Sequence, residues 1–277
     1  MRKKSRSKSG NYLSDVKSPR EELLNLHRRI YLKQKKQIDE SVQHIDRAFR
    51  SYEKRYFQGV SDYDKIVEID EVTARILTSD IIYIGDYHTL NQSQRSLLRV
   101  LRTIIPHSNQ FVLAIEVIHK KHQAILDSYM KGRFGDKTFL KKSGFQKHWF
   151  FDLWDNFKPI FDFCKYHQIP LVALEAASDD ESLKKRDVAM AERILEIHKQ
   201  NKNKKIIVFV GDLHLARCHL PFEVEKIFKK ENEEVKTVTL FQNSEAIYWK
   251  LAQMGMEYKA DVVQVSANEY CRLHTPP

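Results

Sequence analysis

The chain has 277 residues, 42% hydrophobic and 30% charged, with 47 Lys and Arg against 37 Asp and Glu for a net charge of +10. That length is enough for one large core or two smaller ones, and no apolar run reaches the roughly 18 residues that cross a bilayer. Three scattered cysteines (Cys164, Cys218 and Cys271) exclude a disulfide framework and a Cys-x-x-Cys zinc site. Because no apolar stretch follows Met1-Arg2-Lys3-Lys4, a cytoplasmic location is expected.

The first sixty residues hold sixteen Lys and Arg against seven Asp and Glu, so the basicity belongs to an N-terminal arm and the rest of the chain is nearly neutral. Residues 1–18 are rich in Ser, Lys and Arg, a composition that predicts disorder. Ser18 followed by Pro19 marks a helix start. From there Leu23, Leu24, Leu26, Ile30, Ile38, Val42, Ile45 and Phe49 recur near helical spacing, which predicts one long or broken helix to about residue 57. Its apolar stripe is expected to lie on the main domain or on a second copy in a homodimer. A basic arm suits nucleic acid or an anionic membrane surface. Glu21, Glu22, Asp39 and Glu40 interrupt the basic run, however, and favour a solvated helical extension. The expected division is an arm over residues 1–65 and a domain over 66–277.

Within that domain, apolar runs predict strands at 81–84, 111–115, 171–174, 205–210, 235–241 and 262–265. Helical patterns fill 93–105, 120–130, 149–167, 182–200, 221–231 and 244–254, and residues 132–147 read as a polar excursion. The alternation predicts an α/β fold, a mostly parallel sheet with helices on both faces. Right-handed crossovers then bring the strand carboxyl ends to one edge.

Two strands end in the same pattern. Ile81–Ile84 runs into Gly85-Asp86-Tyr87-His88, and Ile206–Val210 runs into Gly211-Asp212-Leu213-His214. With 8 Gly and 12 His in the chain, composition alone gives roughly 0.35 such Gly-x-x-His matches, so two copies after two apolar strands point to a shared role. Glu116 closes the strand that starts at Phe111, and Glu175 closes the one that starts at Leu171. Carboxyl ends of strands are where open α/β sheets bind ligands. Four carboxylates and two imidazoles on one edge need something to organise them. A divalent metal ion held by His88, Glu116, Asp212 and His214 meets that need. So does an acid–base site in which Glu116 or Asp86 deprotonates a water and the histidines assist. The aromatic stretch from Trp149 to Phe163 reads mainly as core, with part of it suited to wall a flat hydrophobic ligand. His119, His122, His148, His167 and His219 read as exposed. Neither a phosphate loop nor a nucleophile elbow is found.

The run from Ile81 to Pro221 resembles the ChaN-like haem-binding uptake family, grouped with the Tiki, TraB and erythromycin-esterase proteins. The matching pieces are Gly85-Asp86-Tyr87-His88, Ala114-Ile115-Glu116, Leu126-Asp127-Ser128-Tyr129 and Trp154 through Pro159 into Ile169–Leu174. Arg186-Asp187 with Met190-Ala191, and Gly211-Asp212-Leu213-His214 with Leu220-Pro221, complete the set. The resemblance implies a pocket on the two Gly-x-x-His turns, with His88, Glu116 and His214 central, Asp86 beside them and Arg186 as an anion partner. It implies haem as cofactor, with Tyr87 and Glu175 as contacts, and an iron-uptake role. Related members imply the alternative, a metal-dependent hydrolase of peptidase or esterase type. The family commonly has Glu where this chain has Asp86, one methylene shorter.

Overall fold

The computed structural model describes residues 18–41, 46–88, 91–108, 110–145, 153–178 and 181–273. The expected disorder over residues 1–17, and Trp149, Phe150, Phe151 and His148, lie outside these. The chain forms two compact units, residues 1–45 and 46–277.

The described part of the first unit is one helix, α1 (Pro19–Ser41). Ser18 caps it as expected. Its hydroxyl accepts from the Glu21 N–H at 3.2 Å, while its own N–H donates to the Glu21 carboxylate at 2.9 Å, a reciprocal capping box. Leu23, Leu26, Ile30 and Leu32 are exposed.

The second unit begins with α2 (Arg47–Gly59), capped by the Asp46 side chain. The charge pattern of the sequence places this segment in the arm, with the boundary at 65. Here α2 belongs to the α/β unit, and it buries Tyr52 and Tyr56 there. Eight strands form one sheet: β1 (Lys65–Val67), β2 (Ile81–Asp86), β3 (Phe111–His119), β4 (Leu171–Glu175), β5 (Lys205–Gly211), β6 (Thr237–Gln242), β7 (Val262–Ser266) and β8 (Glu269–Arg272). Their order is β1-β7-β8-β6-β2-β5-β3-β4. From β8 to β4 every pairing is parallel, while β7 runs antiparallel to both β8 and β1. The expected mostly parallel sheet is borne out.

The sheet is covered on both faces because its central strands are apolar on both. Ile82, Ile84, Leu113, Ile115, Ile207 and Phe209 face one core, and Ile81, Tyr83, Val112, Ala114, Ile206 and Val208 face the other, the period-2 alternation of a pleated strand. The first core is closed by α4 (Asn91–Ile104), α5 (Gln123–Met130), α6 (Asp136–Ser143) and α7 (Trp154–Tyr166), which contribute Leu97, Leu101, Phe139, Trp154, Phe157 and Phe161. The second is closed by α2, α8 (Leu183–Gln200), α9 (Leu220–Lys230) and α10 (Glu245–Met254), which contribute Tyr56, Met190, Ile194, Val224, Phe228 and Leu251. The remaining helix, α3 (Ile69–Thr78), packs Val72 and Ile76 into the first core. The described part of the aromatic stretch is core, as expected. None of the helices among the described residues is long and apolar enough to cross a membrane.

Candidate functional site

β2 and β5 are neighbours at the centre of the sheet, with Asp86 in register with Gly211. The two Gly-Asp-x-His turns therefore leave the sheet side by side. β3 flanks β5 and β4 flanks β3, which brings Glu116 and Glu175 to the same carboxyl edge. Two glycines make the close approach feasible. A Cβ on Gly85 would overlap the Asp212 carboxylate, and one on Gly211 would lie 3.3 Å from Glu116 Oε2 and 3.5 Å from both His88 Nε2 and His214 Cδ2.

Each histidine is held by a buried aspartate. His88 Nδ1 donates to Asp86 Oδ2 at 2.6 Å. The other Asp86 oxygen accepts from the Gln94 amide on α4. His214 Nδ1 donates to Asp187 Oδ1, also at 2.6 Å. Both rings turn their second nitrogen toward Glu116: His88 Nε2 is 3.9 Å from Glu116 Oε2, and His214 Nε2 is 3.6 Å from Glu116 Oε1. Glu116 is only 4% exposed. It accepts the Gly211 N–H at 2.6 Å and the Arg186 Nη2 donor at 2.6 Å. Glu175 accepts from Arg186 Nε at 2.8 Å and from Nη2, and from the Ala176 and Ala177 N–H groups at 2.8 and 2.9 Å. His88 and Arg186 are the openings to solvent, with side chains 23% and 24% exposed.

The charges set the proton affinities. Burial pushes Glu116 up, but His214, Arg186, His88 and the Gly211 N–H outweigh it and hold the carboxyl at about 2. Burial raises Asp86, with His88 opposing. Burial pulls His88 down, but Asp86 and Glu116 outweigh it and its pKa ends raised. Burial lifts Asp212 well above the usual carboxylate range, with the Gln242 N–H opposing it.

Asp212, expected as a metal ligand, is occupied otherwise. Its carboxylate accepts from the Tyr56 hydroxyl and from the Gln242 N–H at 3.3 Å. No group of three or more His, Cys, Asp or Glu among the described residues is disposed to hold a metal ion. Tyr87 is half-buried, with its hydroxyl 3.3 Å from that of Tyr56. His219, expected at the surface, is buried and stacks on Tyr52. A surface hollow of about 910 Å³ lined by Asp136, Lys141, Trp154 and Lys158 shares no residue with the site.

Four participants were not assigned from sequence: Tyr52, Tyr56, Gln94 and Asp187. Asp187 lies inside the Arg186-Asp187 motif piece, and its place four residues into the helix that follows Glu175 is a usable signal. The tyrosines sit on a helix read as part of the arm, and only their i, i+4 spacing marked them.

Opposite shifts in two buried acids give opposite expectations. The lowered Glu116 contributes stability that is full above its ordinary pKa of 4.5 and lost as pH falls toward about 2. The raised Asp212 binds its proton more tightly when folded, so its charge costs stability as pH rises above the ordinary 3.8. Asp212→Asn is therefore expected to raise the melting temperature at pH 7.5 and to lose that advantage at pH 4. Glu116→Gln is expected to lower it at pH 7.5, by about 3 kcal/mol in stability, since the charge of a buried carboxylate that Arg186 and two imidazoles face is lost. Thermal unfolding of both variants at the two pH values checks this, and a shift of the same sign in both would contradict it.

The class defined by this architecture is an α/β protein with a polar site built on paired acid–imidazole turns at the carboxyl edge of a mostly parallel sheet. Residues 72–183 match the family described as haem-binding uptake, Tiki superfamily, ChaN, so the resemblance carried by the motifs is borne out. The matched segment includes Asp86, His88, Glu116 and Glu175. Among solved structures, the type III effector HopBA1 is 12% identical over 78% of this chain and 98% of its own, with a TM-score of 0.51. ChaN of Campylobacter jejuni, described as binding haem cofacially, is 11% identical over 64% of this chain and 87% of its own, at 0.48. RRSP, a MARTX toxin effector domain from Vibrio vulnificus, is 17% identical over 60% of this chain and 33% of its own, at 0.40. The likeness to HopBA1 is one of fold. No curated protein matches the chain.

Proposed function

We propose that the paired turns form a hydrolytic acid–base centre acting on an ester or amide. One observation carries this reading: each imidazole has Nδ1 on a buried aspartate and Nε2 toward the same carboxylate. A carboxylate on Nδ1 fixes the tautomer and leaves Nε2 for proton transfer. In this reading His214 takes the proton of the attacking water, and His88, whose affinity its aspartate raises, protonates the leaving group. Glu116 is a poor base at neutral pH because it is held at about 2. Its role is electrostatic, favouring the imidazolium form of His88. Arg186 makes its described bonds through Nε and Nη2, and its part-exposed guanidinium would face charge developing on the carbonyl oxygen. Three unpaired thiols, one of them exposed, suit a reducing, cytoplasmic setting.

A haem- or iron-binding role is the second reading, supported by the family description. The side chains named for it do not fit. Tyr87 is half-buried, with its hydroxyl 3.3 Å from that of Tyr56. Glu175 is taken up by Arg186 and two backbone N–H groups.

The test uses the full chain with p-nitrophenyl acetate and a quenched-fluorescent peptide mixture as hydrolysis probes, and haemin in a separate titration. Hydrolysis of a probe, with no saturable Soret change, is the expected result. No hydrolysis by folded protein, together with a saturable Soret band, would replace this reading with the second.

A further inference from the structure

The helix α2 lies outside the segment that matches the family, yet it reaches the centre of the site. Tyr52 and Tyr56, one helical turn apart, both point their hydroxyls at the turn regions. Tyr56 donates to Asp212. The Tyr52 hydroxyl donates to Asp187 Oδ2 at 2.8 Å and lies 3.0 Å from His214 Nδ1. Its ring stacks on His219 at 3.5 Å between centroids, within 7° of parallel. His219 is anchored in turn by donating Nδ1–H to the Leu213 carbonyl at 2.8 Å. The tyrosine is thus fixed by packing on one side and by hydrogen bonds on the other.

The proton count in this triangle is restrictive. Three groups meet: a phenol oxygen, a carboxylate and an imidazole nitrogen. The phenol brings one hydrogen and the carboxylate none. The Tyr52 hydrogen goes to Asp187, so the 2.6 Å contact between Asp187 and His214 requires a hydrogen on Nδ1. Burial and the Asp187 charge raise the Tyr52 pKa far above that of a free phenol, which keeps the donor in place.

We infer that Tyr52 is a positioning residue: α2 locks Asp187 and, through it, holds His214 as the Nδ1–H tautomer with Nε2 directed into the site. The geometry stands by itself; its catalytic consequence rests on the hydrolase reading above.

The test is imidazole ¹H–¹⁵N NMR on the full chain, with the His214 signals assigned by His214→Gln. Wild type is expected to show His214 as one Nδ1–H tautomer with a slowly exchanging proton. Tyr52→Phe keeps the stacking ring and removes the hydroxyl. It is expected to mix the tautomers and to speed exchange of the Nδ1 proton roughly tenfold, the loss of about one hydrogen bond. Tyr166→Phe, at an 83% exposed position, is expected to change nothing. Unchanged His214 signals in folded Tyr52→Phe would overturn the inference. If that variant does not fold, 3-fluorotyrosine in the wild-type sequence gives the converse measurement. The Tyr52 fluorine is expected to shift on His214→Gln, and no shift would overturn the inference. In the hydrolysis assay, Tyr52→Phe is expected to lower kcat roughly tenfold with KM held. Absence of any hydrolysis would remove the hydrolase reading and leave the NMR result to decide the positioning role.

Discussion

Gly85→Ala is expected to cost the chain about 3 kcal/mol or more, enough to leave much of it unfolded. The added methyl would overlap the Asp212 carboxylate. Asp212 is buried and cannot step aside without giving up the Tyr56 hydroxyl and the Gln242 N–H. Overpacking and broken buried hydrogen bonds then add. Gly59 closes α2 with nothing within 4 Å of its would-be Cβ. Gly59→Ala is expected to be neutral, or stabilising by up to about 1 kcal/mol through the unfolded chain. Urea unfolding of the two variants decides the matter. A Gly85→Ala protein as stable as wild type would mean that the two turns are not packed against each other.

The second large effect falls on activity. His214→Gln and His88→Gln are each expected to lower kcat for a hydrolysed probe by about 10²–10⁴-fold, the usual span for a positioned general acid or base. Glutamine keeps a donor for the aspartate on Nδ1 but does not titrate. His88 is partly exposed and His214 nearly buried, so His88→Gln is also expected to lose less stability. The check is steady-state kinetics beside a melting curve for each variant. Near-wild-type kcat in a folded His214→Gln protein would remove His214 from the chemistry.

Much of this architecture was legible in the residues because the central strands are continuous apolar runs. Ile81–Ile84, Phe111–Ile115, Leu171–Leu174 and Ile206–Val210 each fall within an observed strand. Short or polar elements carried no such signal. β1 is three residues long, β8 is Glu-Tyr-Cys-Arg, and α6 holds Lys137, Lys141 and Lys142 in eight residues, so its single buried aromatic, Phe139, was lost in a polar stretch. In the site, Asp86, His88, Glu175 and His214 were visible because apolar strands run into them or a motif is repeated; Glu116 was visible inside an apolar run that continues to His119, and Arg186 only through the family resemblance; these six do meet. What stayed hidden was the division of labour. Asp212 occupies the same place in its motif as Asp86, yet only Asp86 bonds its own motif's histidine. His214 finds its acid on α8 and a tyrosine on α2 instead. Pairings of that kind are set by how helices pack over the sheet edge, and spacing along the chain does not encode them.

The central claim is that the two acid–imidazole pairs act as one unit around Glu116. The most direct test is the kcat of His88→Gln, His214→Gln and the double variant on a single hydrolysed probe. Groups that share one proton-transfer sequence are non-additive. The double variant is therefore expected to be no slower than the slower single variant. Losses that multiply in the double variant, or full activity in either single one, would contradict the account.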